Sequence, residues 1–146
     1  MTIKRMDNVG IVVDDLDAAI AFFTELGMVL EGRMTIEAEW AAKTVGLEDT
    51  RSEIAMMSTP DGGSRIEFMM YHRPEMIRPE PAAPPANTVG LHRLMFAVDD
   101  IEDTVARLSK HGGELIGEIT RFEDVFLLVY FRGPAGIVIG LAQGLS

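Results

Sequence analysis

The chain has 146 residues, of which 47% are apolar, enough for one domain or for two small modules that share a core. Its formal net charge is −10 with no basic cluster, which argues against a phosphate-rich partner such as nucleic acid. With no cysteine, the chain has no disulfides, thiolate metal sites or thiol catalysis. No apolar stretch reaches the length of a membrane span and no signal-peptide segment precedes the fold, so we expect a cytoplasmic protein without a membrane partner.

A strand followed by a helix is predicted twice, at two similar Asp-Asp junctions. Runs rich in β-branched residues, 9–13 and 94–98, predict strands, and each run stops at two aspartates that suit a helix N-terminus. Both predicted helices end at glycine, Gly27 and Gly112. The apolar faces of the two helices are formed by Leu16, Ile20 and Phe23 and by Ile101, Val105 and Leu108.

Three further strands are expected after the helix in each half, which gives the order strand, helix, strand, strand, strand twice. These strands are expected around 28–34, 52–58 and 61–71, and around 114–119, 125–131 and 133–143. An insertion in the first half, 36–47, has Ile36, Trp40 and Leu47 at helical spacing and predicts a short extra helix. We expect Trp40 to anchor this helix to the sheet edge, with a lid over a pocket as the alternative.

The sequence predicts one domain, 1–146, that consists of module 1 (1–73), a linker (74–88) and module 2 (89–146). Five prolines lie between residues 72 and 87, and they favour an extended connection over a third folded unit.

The doubled plan, the Val-Asp-Asp-Leu and Val-Asp-Asp-Ile junctions and the Pro-Asp-Gly turn before Arg65-Ile-Glu-Phe68 resemble the vicinal oxygen chelate superfamily. That superfamily includes glyoxalase I, bleomycin-resistance proteins and extradiol dioxygenases. The resemblance implies an α+β fold of two tandem βαβββ modules, whose curved mixed sheets enclose a cavity that a homodimer usually completes. It also implies that the helix covers one face of each sheet and the other face lines the cavity.

In metal-dependent members of the superfamily, four ligands come from the first and last strands of the modules. The resemblance places these positions at Asn8, Glu67, Arg93 and Gly140. Of the four, Glu67 alone keeps a usual ligand type, since arginine carries a fixed positive charge and glycine has no side chain. We therefore expect no metal and no other cofactor.

His92 lies beside Arg93 and is the tempting alternative ligand. Asn8 lies six residues before Asp14 and Arg93 six before Asp99, whereas His92 lies seven before Asp99. Since strand side chains alternate between faces, we expect His92 to point away from the cavity unless a bulge intervenes.

Alternation also sorts the other strand residues. The helix side is expected to hold Ile66, Phe68, Leu94, Phe96, Ile137, Ile139 and Leu141, with Met56 and Met70 as filler. The cavity side is expected to hold Asn8, Gly10, Met57, Glu67, Met69, Tyr71, Arg93, Met95, Gly140 and Ala142, with Tyr130 at its rim.

Glu67 and Arg93 carry the sharpest hypothesis. Arg93 can hold a ligand carboxylate or enolate, and Glu67 can act as general acid or base. The alternative is that the two side chains pair with each other. Asn8, Met69, Tyr71, Met95 and Tyr130 are candidate ligand contacts, with a local backbone role for Asn8 and a packing role for the others as the alternatives.

Two functions compete. One is metal-free binding of a small organic ligand, as in the antibiotic-resistance members. The other is a lyase or isomerase of the glyoxalase I or epimerase type, which would use Glu67 with Arg93 as an electrostatic clamp or with a degenerate metal site. A regulatory module that reports a metabolite is a third hypothesis. A homodimer is expected from the resemblance.

Overall fold

The computed structural model describes residues 2–145, which divide between Ile77 and Arg78 into two compact units. Each unit contains one sheet and one main helix, so the predicted α+β fold with two strand-helix-strand modules is confirmed. In chain order the elements are β1 (Val9–Val12), α1 (Leu16–Leu26), β2 (Val29–Ile36), α2 (Glu39–Val45), β3 (Arg51–Ser58), β4 (Arg65–Arg73), β5 (Leu94–Ala97), α3 (Ile101–Ser109), β6 (Glu114–Leu115), β7 (Thr120–Phe122), β8 (Phe126–Arg132) and β9 (Val138–Gly144). Among the described residues, no helix is long and apolar enough to cross a membrane.

The first unit has a four-stranded sheet in the order β1-β4-β3-β2, with β1 parallel to β4 and the other pairs antiparallel. Helix α1 covers one face of this sheet. Phe22 and Phe23 of α1 are fully buried, and the Phe23 and Phe68 ring centroids lie 4.9 Å apart. Ile66 and Phe68 alternate into this core from β4, as the period of two predicts.

The second unit repeats this plan with strand order β5-β9-β8-β6 and with β7 also paired to β8. Leu108 of α3 packs in a core with Phe131, Ile139 and Leu141, all fully buried. One strand was expected between α3 and β8, but two short strands are found, because the chain bends at Ile116 and Gly117 between β6 and β7.

Both Asp-Asp junctions begin a helix as predicted. Asp15 accepts a hydrogen bond from the backbone N–H of Ala18 at 3.0 Å, and Asp100 does the same for Asp103 at 3.0 Å. Each such cap stabilises a helix by about 1 kcal/mol. Gly27 caps α1 with φ 124°, whereas α3 ends at a right-handed Lys110, so the expected glycine end of α3 is wrong by two residues.

The extra helix of the first unit is shorter than expected. Ile36 belongs to β2, where it pairs with Ser52, and α2 covers Glu39–Val45. The expected anchoring by Trp40 is wrong, because its side chain is 65% exposed while Ala42 makes the buried contact of this helix.

An arginine links α1 to its sheet. Arg33 of β2 forms ion pairs with Asp17 of α1 at 2.5 Å and with Glu53 of β3 at 2.6 Å. Hydrogen bonding to the Arg33 guanidinium holds the pKa of Glu53 below its ordinary value, and His72 lies 3.5 Å from the same carboxylate.

The last strand of the second unit helps to start its helix. The Gln143 side chain on β9 accepts a hydrogen bond from the backbone N–H of Ile101 at 2.8 Å. It thereby satisfies one of the first N–H groups of α3, which have no partner inside the helix.

Candidate functional site

The face of the first sheet opposite α1 combines one carboxylate with methionine and aromatic side chains. Glu67 stands between Gly10 of β1 and Met56 of β3, its register partners on either side. Met57, expected on this face, is instead fully buried against the helix, so the assignments of Met56 and Met57 are reversed. The residues of this face are Gly10, Val12, Ile54, Met56, Glu67, Met69 and Tyr71.

Glu67 differs from the other carboxylates of its sheet. Glu31 binds Arg65 at 2.8 Å and Glu53 binds Arg33 at 2.6 Å. Within the described part of the first unit, no basic side chain lies within 4 Å of the half-buried Glu67 carboxylate. This carboxylate is therefore available to a ligand or a proton in a way that its neighbours are not.

Met69 and Tyr71 continue the same face, two and four residues beyond Glu67. The Met69 methyl group lies over Gly10, where an added Cβ would stand 3.2 Å from it. Tyr71 is half-buried opposite Ser52. Asn8 is exposed and immediately precedes β1, so it lies at the end of the strand that carries Gly10.

In the second unit, Met95, Gly140 and Tyr130 lie side by side on neighbouring strands, on the face of the sheet opposite α3. Gly140 is the register partner of Met95 on β5 and of Tyr130 on β8. A Cβ at Gly140 would collide with the Met95 sulfur and would lie 3.3 Å from the Tyr130 ring. Glycine is thus required here because the Met95 side chain lies across it, and this leaves Met95 48% exposed.

Arg93 and His92 both contact Tyr130. The Arg93 guanidinium carbon lies 4.5 Å above the Tyr130 ring centroid, within the range of a cation–π interaction. The His92 ring meets the same ring edge-on at 5.9 Å, and its Nδ1 lies 3.2 Å from Nη1 of Arg93. We call Arg93, His92, Tyr130, Met95 and Gly140 the arginine cluster.

The expectation that His92 points away from this face is wrong. Strand β5 begins at Leu94, so residues 92 and 93 lie outside it and strand alternation does not apply to them. Sequence reasoning therefore missed His92 as a member of the site. The available signal was the position of His92 directly before a strand, where the alternation of strand side chains no longer determines which face of the sheet a side chain lies on.

The four positions that the family uses for a divalent metal were tested against their surroundings. Gly140 has no donor, and the space for one is filled by Met95. Arg93 lies over Tyr130 and would repel a cation. Among residues 2–145, no group of three or more carboxylates and imidazoles is placed to hold an ion. An amide and one carboxylate remain, and these residues do not fit a divalent centre of at least three protein ligands.

The predicted site residues thus form two groups, one in each unit. Glu67 and Met69 are neighbours on β4, with Tyr71 farther along the same strand. Arg93, Met95 and Tyr130 come together on β5, β8 and the residue before β5.

Comparison with known proteins agrees with this fold. The sequence profile of the Glyoxalase/Bleomycin resistance protein/Dioxygenase superfamily matches residues 5–141. The structure of a glyoxalase family protein from Bacillus cereus is similar over 100% of this chain and 97% of that one, with 50% identity and a TM-score of 0.95. An uncharacterized protein, YwbC, from Bacillus subtilis is 30% identical over 136 residues, which are 91% of this chain and 92% of that protein.

Two more distant structures show a likeness of fold alone. A glyoxalase I mutant from Zea mays has a TM-score of 0.69 and 18% identity, covering 97% of this chain and 46% of that chain. The antibiotic binding protein TnmS3 from Streptomyces has a TM-score of 0.62 and 21% identity, covering 99% and 98%. One is an enzyme and the other a binding protein, so the fold does not choose between the two functions.

Proposed function

Because the chain belongs to the Glyoxalase/Bleomycin resistance protein/Dioxygenase superfamily, we propose that it binds a small organic molecule without a divalent metal. One observation carries the proposal: at two of the four metal positions, the chain has an arginine stacked on Tyr130 and a glycine covered by Met95. These groups are suited to an organic ligand and unsuited to a cation.

The composition of both faces supports the same function. Small-molecule sites are lined mainly by apolar and aromatic groups, with a few polar groups that orient the ligand. Methionine adapts its shape to varied ligands, and tyrosine offers a ring and a hydroxyl. We propose that the ligand contacts are made by Asn8, Met69, Tyr71, Arg93, Met95 and Tyr130.

A thermal-shift experiment tests this proposal. Protein purified without chelator is heated with Mg²⁺, Mn²⁺, Ni²⁺ or Zn²⁺, or with a library of aromatic and carboxylate compounds. We expect organic compounds alone to raise the melting temperature, since a ligand that binds the folded state stabilises it. Arg93→Gln should weaken that stabilisation, and Arg121→Gln, an exposed arginine of the same unit, should leave it unchanged.

Metal analysis of the same preparation can refute metal-free binding. We expect well under one transition-metal ion per chain. A stoichiometric ion that is lost in Glu67→Gln would refute metal-free binding and would favour a degenerate metal site.

A second function, a lyase or isomerase, is favoured by Glu67. Its carboxylate is half-buried and, within the part of the first unit that the structure describes, has no basic partner, in contrast to Glu31 and Glu53. A positioned carboxylate of this kind can take a proton from the carbon beside a carbonyl group and return it.

Proton exchange separates catalysis from binding. Carbonyl compounds that stabilise the protein are incubated with it in D₂O, and loss of the α-proton signal is followed by NMR. Catalysis by Glu67 predicts exchange that falls by about 100-fold or more in Glu67→Gln while affinity is kept. Glu31→Gln serves as the control. Equal exchange in wild type and Glu67→Gln would refute catalysis by Glu67.

A homodimer and a cytoplasmic location remain proposals that rest on the family and on the sequence. Sedimentation velocity over a range of protein concentrations tests for the homodimer, since a dimer has twice the monomer mass and sediments faster than the monomer. Fractionation of cells that produce the tagged chain tests the cytoplasmic location.

A further inference from the structure

We infer that the molecule bound at the arginine cluster is a planar anion, namely a carboxylate conjugated with a flat ring or chain. This inference rests on the proposed function and specifies its ligand class. All the contacts that support it lie within the second unit.

The Arg93 guanidinium has one hydrogen-bonding edge occupied and one edge open. Nη1 is held by Nδ1 of His92 at 3.2 Å, and one face of the group lies over the Tyr130 ring. Among the described residues of the second unit, no other hydrogen bond or ion pair involves Arg93. The side formed by Nε and Nη2 is therefore left for an outside acceptor, and its two parallel N–H groups match the two oxygens of a carboxylate.

The charge around Arg93 also favours an anionic ligand. The chain has 23 acidic and 13 basic residues, and most arginines have an acidic partner nearby. In the second unit, Arg121 binds Asp124 at 2.8 Å and Arg107 binds Asp103 at 2.9 Å. No carboxylate among the described residues of this unit lies within 4 Å of Arg93. An arginine without an internal counterion in so acidic a chain is suited to an anionic ligand.

The shape of the cluster favours a flat ligand. A guanidinium group that lies over a tyrosine ring presents its second flat face outward, and planar groups stack on that face. Beside it, Met95 lies across Gly140, where no side chain projects. A flat conjugated carboxylate can pair with the N–H edge and stack at the same time, whereas a saturated one can only pair.

His92 acts in this arrangement as a positioning residue. Nδ1 can accept from Nη1 of Arg93 only when the ring is neutral with its proton on Nε2, a tautomer assigned from the hydrogen bond. By holding Nη1, His92 turns the Nε and Nη2 side toward the ligand.

The test uses three probes of similar size and NMR titration of the wild-type chain. trans-Cinnamate is flat and anionic, cinnamamide is flat and neutral, and 3-cyclohexylpropanoate is anionic and not flat. We expect cinnamate to shift the Arg93 Nε–H signal and the Tyr130 ring signals. The other two should bind at least tenfold more weakly, about 1.4 kcal/mol at 25 °C.

Three variants locate the effect in the cluster. Arg93→Lys keeps the positive charge but removes the two parallel N–H groups and the flat face on which a ring can stack. The affinity for cinnamate should therefore fall at least tenfold. Arg121→Lys is the matched control and should bind as wild type does. His92→Phe should weaken cinnamate binding, and His92→Asn, which restores an acceptor near the Nδ1 position, should recover most of it.

The outcomes separate this inference from the proposed function. If cinnamamide binds at the cluster as tightly as cinnamate, the anionic ligand class is refuted while small-molecule binding stands. Equal binding of 3-cyclohexylpropanoate, or undiminished affinity in Arg93→Lys, also refutes it. If neither the probes nor a broad library shifts a signal of the cluster, the proposed function itself fails.

Discussion

The two units share a plan of one sheet covered by one main helix, but large side chains are distributed oppositely on the sheet face that lies opposite the helix. In the first unit, the first strand carries Gly10 and the last carries Glu67 and Met69. In the second, the first strand carries Met95 and the last carries Gly140. The residues that build the fold were kept in both copies, while those on the face opposite the helix diverged. A repeated scaffold can thus carry different side chains on the corresponding face of each unit.

The residues with the same role in both units are helix caps and buried core residues. Asp15 and Asp100 cap equivalent helices, and Phe68 and Leu141 are equivalent core residues that are both fully buried. The diverged pairs on the faces opposite the helices are Asn8 and Arg93, Gly10 and Met95, Glu67 and Gly140, Met69 and Ala142, and Tyr71 and Gly144.

The largest expected effect tests whether the two cores are equally important. Phe68→Ala in the first unit and Phe131→Ala in the second each remove a fully buried ring. We expect each to lower the free energy of unfolding by about 3–5 kcal/mol, measured by urea denaturation followed by circular dichroism. Phe122→Ala, which removes a 51% exposed ring, is the control and should cost much less.

A marked difference between the two core variants would contradict this view. It would mean that one unit supplies most of the stability and the other is held by it. Unfolding in two steps in either variant would show instead that the two units unfold separately.

An intermediate effect is expected from the glycines that lie under methionines. Gly140→Ala places a methyl group against the Met95 sulfur and should cost about 1–3 kcal/mol. Gly10→Ala meets only the terminal methyl of Met69, at 3.2 Å, and should cost less because that end of the chain can move. Urea denaturation measures both.

A double variant checks the cause of the Gly140 effect. Replacing Met95 by alanine together with Gly140→Ala should recover most of the loss, since the colliding atoms are then gone. Additive losses would show that Gly140 is needed for a reason other than Met95.

The smallest expected effect concerns the Arg33 ion pairs, which have no described counterpart in the second unit. The pKa of Glu53 is lowered in the folded state by its hydrogen bond to Arg33. Its contribution to stability is therefore present above the ordinary pKa of 4.5 and is lost as the pH falls through the lowered folded value. Glu53→Gln should be less stable than wild type at neutral pH, and the difference should shrink in acid.

Urea denaturation at a series of pH values measures that difference. Glu39→Gln, which removes an exposed pair with Lys43, is the control and should change little at any pH. A constant gap between wild type and Glu53→Gln across the acid range would refute the linkage.

The sequence allowed the fold to be predicted because its signals are local. Asp15 and Asp100 mark helix starts, and the period of two in Ile66 and Phe68 marks the buried face of a strand. The break between β6 and β7 was not predicted, since a bend at Ile116 and Gly117 leaves no distinctive pattern in a strand-like run.

The face assignments were less predictable, because they depend on register. The pairing of β3 with β4 shifts between Arg51 and Ser52, and Met56 rather than Met57 shares the face of Glu67. His92 was misplaced because alternation was extended one step beyond the start of β5. The ligand roles proposed for Asn8, Tyr71 and the other site residues stay predictions.

The hydrogen bond between Gln143 and Ile101 ties the beginning of the second unit to its end. Strands β5 and β9 are parallel neighbours although α3 and the strands β6 to β8 lie between them in sequence. The parallel neighbours β1 and β4 of the first unit are likewise far apart in sequence. During synthesis, neither sheet can close until its final strand has left the ribosome, yet the first can close while the second is still being made. A loop-closure step of long sequence separation is therefore built into each half, and such steps slow folding.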